Sequence, residues 1–271
     1  MIESQGLPRR IYGVDFSGAK DAGKKIWIAS GIIKEGVLHI EKCERGKDSL
    51  GTDRLDACLR SLRDFIASEK DCAFGLDFPF GLPKKLVKES SWEDFVRHFP
   101  ENYPNLKKFR DACKIYHEPE LKRTTDIKSK TPFSPYNLRI YYQTYYGIHD
   151  ILYPLVSADQ ARILPMQNVE NGKTIVIEIC PASTLKKLWH PGKPLSYKHN
   201  TDTHFEAREQ IIDKLNTNIS IPGSIRTIAL NNAGGDALDS IIAAYSTFCA
   251  SRKNFTVKDG KNYCLEGYVF A

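Results

Sequence analysis

Ile11-Tyr-Gly-Val-Asp-Phe-Ser-Gly18 reads as a short apolar strand that carries a single acid and runs out into a Ser-Gly turn. Downstream, Lys25-Ile-Trp-Ile-Ala-Ser-Gly-Ile-Ile33 and Gly36-Val-Leu-His-Ile-Glu-Lys-Cys43 have the same β-rich character, with Lys34-Glu35-Gly36 as the turn between them. An antiparallel three-strand meander is predicted. From Thr52 to Ser68, Leu55, Leu59, Leu62, Phe65 and Ile66 recur at helical spacing, and Cys72-Ala-Phe-Gly-Leu-Asp-Phe78 is short and apolar, as a buried strand is. The opening order is therefore β-β-β-α-β.

Residues 84 to about 165 change character. They are Pro-punctuated and rich in Lys and Tyr, with helical stretches at Trp92 to Phe99 and Arg139 to Val156, and are expected to form a helical insert in a single domain spanning 1–271. A second β/α series follows: a strand at Thr174 to Cys180, a short helix from Ala182, a helix at Asp202 to Leu215, a strand at Ile225 to Leu230 and a helix from Gly235 to Ala250. The tail, Asn254 to Val257 and Tyr263 to Val269 about Lys258-Asp-Gly-Lys261, reads as a hairpin.

With 41% hydrophobic and 27% charged residues in 271, the chain is neither disordered nor a small disulfide scaffold. Its apolar runs fall short of the roughly 20 residues a membrane helix needs, and charge precedes any apolar stretch at the N-terminus, so neither a signal peptide nor a span is expected. The seven cysteines form no C-x-x-C pair, which fits a reducing cytoplasm. The net charge of +6 is concentrated: Lys84 to Arg139 holds 13 Lys and Arg against 8 Asp and Glu. Such a balance permits an anionic partner without requiring one.

The acids are placed more informatively than the bases. Asp15 is the only charge between Ile11 and Ala19, Asp77 the only one between Ala73 and Pro83, and Glu178 the only one between Thr174 and Leu185. From Ile228 to Ser251 the only charges are Asp236 and Asp239. A carboxylate in an apolar segment is costly to bury unless something pairs with it. Locally, Asp15 and Asp77 can be turn residues, Glu178 can pair with a distant base, and Asp236 can cap a helix. None of these readings predicts one acid in each of four dry segments. A hard divalent cation does, because Mg²⁺ and Mn²⁺ prefer carboxylate oxygens, and two such ions can activate water and stabilise a leaving oxygen in phosphodiester cleavage. Positions 236 and 239 lie one turn apart beside the stripe Leu238, Ile241, Ile242, Tyr245 and Phe248, so both carboxylates can project past a helix packed on the sheet.

The order of elements, with acids on the first and fourth strands and Asp-x-x-Asp opening the last long helix, resembles the ribonuclease H-like fold. Gly13-Val-Asp-Phe-Ser-Gly18, Gly75-Leu-Asp-Phe-Pro-Phe-Gly-Leu-Pro83, Glu178-Ile-Cys-Pro-Ala182 and Gly234-Gly-Asp-Ala-Leu-Asp239 are similar to the signature blocks of domain-of-unknown-function family 429, whose members are predicted nucleases. The resemblance spans about 11 to 250. It implies an α/β fold, a ribonuclease H-like mixed sheet with flanking helices and a helical insert, and Asp15, Asp77, Glu178 and Asp236 or Asp239 as catalytic, metal-binding acids. Glu178 departs from the pattern, because ribonuclease H-like nucleases do not always use an acid there.

In the insert, Lys122, Arg123, Lys128, Lys130 and Arg139 are candidate phosphate contacts, with Arg123 placed to hold a phosphate near the acids. Tyr142, Tyr145 and Tyr146 sit at helical spacing and read either as core or as base-stacking platforms. His98, His117, His149, His190, His199 and His204 show no zinc spacing. The function expected is a metal-dependent nuclease or phosphodiesterase using Mg²⁺ or Mn²⁺ on nucleic acid. The alternatives are phosphoryl transfer, since Asp15-Phe-Ser-Gly18 also resembles the phosphate hairpin of sugar kinases and actin-like ATPases, and non-catalytic nucleic-acid binding.

Overall fold

A computed structural model describes residues 8–114 and 120–271; His117 lies outside the described residues. In chain order the first part holds β1 (Arg10–Asp15), α1 (Ala22–Lys25), β2 (Trp27–Lys34), β3 (Val37–Arg45), α2 (Gly46–Leu50), α3 (Leu55–Ser68) and β4 (Cys72–Leu76). Helices α4 (Trp92–Asn102), α5 (Leu106–Lys114), α6 (Thr124–Ser129), α7 (Tyr141–Tyr146) and α8 (Tyr153–Ser157) follow, the last two joined by a π-helical stretch at Gly147–Leu152. The remainder is β5 (Ala161–Leu164), β6 (Thr174–Ile179), α9 (Pro181–Leu188), α10 (Asp202–Asn216), β7 (Ile219–Ser220), α11 (Gly223–Asn231), α12 (Asp236–Ser251) and β8 (Val269–Phe270).

The strands form one mixed sheet in the order β5-β6-β4-β1-β2-β3-β7, with β8 also pairing β6. β2 runs antiparallel to β1 and β3, whereas β4, β6 and β5 continue parallel from β1. The meander is thus present, and the strand ends that matter for chemistry, those of β1, β4 and β6, point the same way. At the far edge β5 pairs with Thr174 to Ile177 of β6, and β8 takes over the same edge at Glu178 and Ile179.

Both faces of the sheet are covered. One carries Tyr12, Val14, Phe74, Leu76 and Val176 against α3 and the helices of the insert; the other carries Ile11, Ala73, Ile175, Ile177 and Ile179 against α12. Helix α12 is buried along nearly its whole length because it lies between the sheet and α9, α10 and α11, which is why its sequence is apolar all round. It rests on bare backbone: a Cβ on Gly13 would meet Ala244 N at 2.1 Å, and one on Gly75 would meet Thr247 Oγ1 at 1.9 Å. The two glycines let the helix settle directly over β1 and β4.

Three segments differ from the pattern their sequence predicts. Ile225 to Leu230 is helical, within α11, because burial falls on Ile225, Ala229 and Leu230, a spacing of one turn rather than alternation. No tail hairpin forms: Asn254 and Phe255 have φ of 50° and 53°, which breaks extension, and only Val269–Phe270 joins the sheet, on β6. The insert is not wholly helical, since β5 within it supplies an edge strand. Among the described residues no helix is long and apolar enough to cross a membrane.

Candidate functional site

Asp15 ends β1 and Asp77 follows β4 by one residue. Val14 is the register partner of Leu76, and the Asp77 amide donates to Val14 O at 3.0 Å, so the two acids stand side by side. Alternation along each strand puts them on the same face as Gly13 and Gly75, beneath the start of α12. There the helix opens at Gly235, whose φ of 81° lies in the left-handed region that glycine tolerates, and Asp236 and Asp239 fall in its first turn. Neither acid is the cap residue, and the cap itself makes no side-chain hydrogen bond. The helix dipole favours negative charge at this position.

Asp15, Asp77 and Asp239 line one cavity of about 250 Å³. Asp239 is buried, with one oxygen accepting from the Tyr197 hydroxyl and the other 2.5 Å from Lys198 Nζ. Burial, then the neighbouring charges of Asp239, Asp77 and Asp236, raise the Asp15 pKa well above the usual carboxylate range. Burial and Asp239 likewise push Asp77 up to about 8. Burial alone would lower the Lys198 pKa, but Asp239 and Asp15 override it and hold the ammonium charged. Asp236 is also raised, by burial first, and faces a more open groove that it shares with Asp15. Tyr197 and Lys198 carry no sequence signal: they lie in a polar loop, and only the packing of α12 brings them to Asp239.

Glu178 lines the same cavity but points elsewhere. Its register partner is Leu76, not Asp77, and this offset of one residue turns its side chain to the opposite face of the sheet. There it meets Arg123, which is 1% exposed. The guanidinium donates to Glu178 at 2.5 and 2.8 Å, to Asp126 at 2.8 and 2.9 Å and to Glu266 O at 3.1 Å, which uses all five of its N–H groups. Phe80 N–H donates to Glu178 at 2.9 Å, and the Glu266 carboxylate accepts from the amides of Lys84 and Thr124 at 2.7 and 2.8 Å. Burial raises the Glu178 pKa and Arg123 opposes that shift. Arg123 therefore has no donor to offer a phosphate, and Glu178 has a distant base as its partner.

The other insert cations divide. Arg139 is exposed and lines the open groove, about 670 Å³, together with Lys20, Lys25, Tyr142, Asp15 and Asp236. Lys128 and Lys130 line a different hollow beside α9. Lys122 Nζ turns back to Thr131 O at 2.7 Å. Of the tyrosines, Tyr145 is core, whereas Tyr142 is 44% exposed at the groove. Lys20 and Lys25 reach this groove from outside the insert.

The oxygens of Asp15, Asp77 and Asp239 match in kind what Mg²⁺ or Mn²⁺ takes, and burial, then the neighbouring carboxylates, raises the pKa values of Asp15 and Asp77 in the absence of a cation. In this arrangement, among the described residues, no group of three or more His, Cys, Asp or Glu side chains is placed to hold a metal ion. Tyr197 and Lys198 engage both oxygens of Asp239. Coordination there requires Lys198, half exposed and in a loop, to release its partner.

Fold and site together define a mixed α/β protein with a buried acidic cavity at the ends of parallel strands. No protein family, curated protein or solved structure matches the chain.

One consequence of the acidic cavity is measurable without a ligand. The folded state keeps a proton on Asp77 up to about pH 8, whereas the unfolded chain releases it near pH 4, so the fold binds the extra proton between those values. That stabilisation is full below about pH 4 and is lost as pH rises through about 8. In EDTA, the unfolding free energy from urea titrations should fall between about pH 5 and 8, by up to about 1.4 kcal/mol per pH unit for this carboxyl. Asp77→Asn should flatten the slope, and a wild-type profile that rises over this range would refute the raised pKa.

Proposed function

We propose that the protein is a metal-dependent phosphodiesterase acting on nucleic acid, with a ribonuclease H-like arrangement of its sheet and kinship to domain-of-unknown-function family 429. The observation that carries this reading is the convergence of Asp15, Asp77 and Asp239 in one cavity that opens, through Asp15, Gln143 and Lys198, onto a groove bearing Lys20, Lys25 and Arg139. Acids that favour a hard cation thus adjoin bases that favour phosphate. The antiparallel meander, the parallel β4 and β6 beyond β1 and the helix across their face support the fold assignment.

A divalent cation held by Asp15, Asp77 and Asp239 would polarise a phosphoryl oxygen and lower the pKa of a water. The rest falls to the chain. Lys20, Lys25 and Arg139 bind and orient the backbone on either side of the ester. Phe78, Pro79, Ile140 and Ile179 wall the cavity and exclude bulk water. Lys198, released from Asp239, faces the developing negative charge as an ammonium. Asp236 lines the groove beside Asp15 and Gly234 and adds negative charge at the mouth of the cavity. Glu178 and Arg123 hold the insert against the sheet.

The test is a panel of single-stranded, duplex, hybrid and branched DNA and RNA, each with Mg²⁺, Mn²⁺ or EDTA, beside nucleoside triphosphates with a sugar acceptor. Metal-dependent cleavage of at least one nucleic acid is expected. Triphosphate-dependent transfer without cleavage would replace this reading with the kinase-like one.

A further inference from the structure

Helix α9 separates two surfaces of opposite charge. Cys180, Pro181 and Ala182, at its start, line the acidic cavity; Ser183, Lys186, Lys187 and His190 line a second hollow of about 290 Å³ with Lys128 and Lys130. A third hollow, about 300 Å³, shares Lys128 and Lys187 with the second and adds Lys253 and Lys258. No Asp or Glu lines either of them. Lys128 Nζ donates to Tyr263 Oη at 2.9 Å, Lys186 Nζ to Lys130 O at 2.6 Å and Lys187 Nζ to a main-chain oxygen of Ala271 at 2.6 Å. Among the described residues, none of the six lysines pairs with a side-chain carboxylate; Asp259 acts on Lys128 from the rim without pairing with it. Burial, then Lys253 beside it, lowers the Lys187 pKa. Ser183 Oγ, buried at the same hollow, lacks an ordinary hydrogen-bond partner, with the Cys180 thiol as its neighbour.

Six lysines distributed over two adjoining hollows suit an extended polyanion better than a single small ion. This lysine face adjoins the candidate site, since α9 and the Lys130-Thr131 segment each border both surfaces. The eight residues of α9 span about 12 Å, the rise of roughly four nucleotides of a strand. We propose that the lysine face around α9 binds the phosphates of a nucleic-acid strand beyond those seated at the acidic cavity, an inference that rests on nucleic acid being the substrate. The strand would then run from the Arg139 groove, past Asp15 and Asp77, and over α9.

Binding of fluorescein-labelled oligothymidine and oligouridine, about 4 and about 12 nucleotides long, should be measured by anisotropy in EDTA across a salt series. The longer strands should bind at least about tenfold tighter at low salt, because only they reach both surfaces. In the triple variant Lys186→Gln, Lys187→Gln, Lys253→Gln the slope of log K against log salt should fall by about 2 for the long strands, and their advantage over the short ones should shrink. Circular dichroism and the melting temperature check that the variant is folded. Equal affinity for both lengths, an unchanged slope, or binding of phosphatidylserine vesicles in preference to either strand would overturn the proposal. Lysine-dependent binding of long strands without cleavage of any substrate would uphold this surface and remove the hydrolytic reading. Cleavage of long strands with the same KM in the triple variant would do the reverse.

Discussion

Arg123→Met is expected to destabilise the protein by about 3–5 kcal/mol, the usual cost of removing one partner from a fully buried ion-paired network. Methionine fills much of the same volume, so the loss reports charge and hydrogen bonding more than a cavity. Without the guanidinium, Glu178 and Asp126 face each other in a site that water does not reach, and Glu266 O loses its donor. The consequence extends beyond one pair, because Arg123 joins three separate parts of the chain: α6, the end of β6 and the tail before β8. For a chain of this size the loss corresponds to a drop in melting temperature on the order of 10 °C. Asp126→Asn leaves the Glu178 pair in place and should cost less, about 1–3 kcal/mol. Thermal and urea unfolding of both variants decide the matter, and a loss under about 1 kcal/mol for Arg123→Met would show that the network is no stronger than a surface pair. A second readout separates structural from metal-binding roles for Glu178: any stabilisation by Mn²⁺ seen in wild type should persist in Glu178→Gln.

That Glu178 and Arg123 belong to each other illustrates where the sequence ceased to be informative. An acid alone in a dry strand announces that it needs a partner, and Asp15, Asp77, Glu178 and Asp239 all announce it in the same way. Which partner each finds depends on register, and the difference between Asp77 and Glu178 is a single residue of offset between β4 and β6 that no local pattern encodes. Arg123 looks like one more cation in a basic insert, and its burial follows only from the tail folding back over it. The meander, α3, β4 and α12 were legible because their apolar spacing is long and regular. The segment at Ile225 was misread because isoleucine and threonine favour strands locally while its burial follows a helical repeat imposed by α10 and α12. Tyr197 and Lys198 left no trace, since a polar loop becomes part of a site only through what it packs against.

Asp15→Asn is expected to abolish most nucleic-acid cleavage, by about a hundredfold or more, while leaving the metal-free fold at least as stable as wild type. The two effects have one electrostatic origin. Asp15 stands beside Asp77 and near Asp239, and without a cation burial and those neighbours raise its pKa well above the usual carboxylate range. An amide is close in shape to the protonated acid and cannot ionise, so the variant loses the repulsion that grows with pH and should gain stability relative to wild type as pH rises. With a cation the balance inverts. The wild-type carboxylate supplies negative charge that the amide lacks, and stabilisation by Mn²⁺, seen as a rise in melting temperature through mass action, should shrink or vanish in the variant. Cleavage falls because transition-state stabilisation at phosphorus depends on charge placed to within fractions of an ångström, and losing one such group typically costs two to three orders of magnitude, about 3–4 kcal/mol. Single-turnover cleavage with Mn²⁺, together with melting temperatures in EDTA and Mn²⁺ at two pH values, measures all three quantities on the same preparations. A variant that is markedly less stable than wild type in EDTA would show that Asp15 is a structural acid, and undiminished cleavage would place the activity elsewhere.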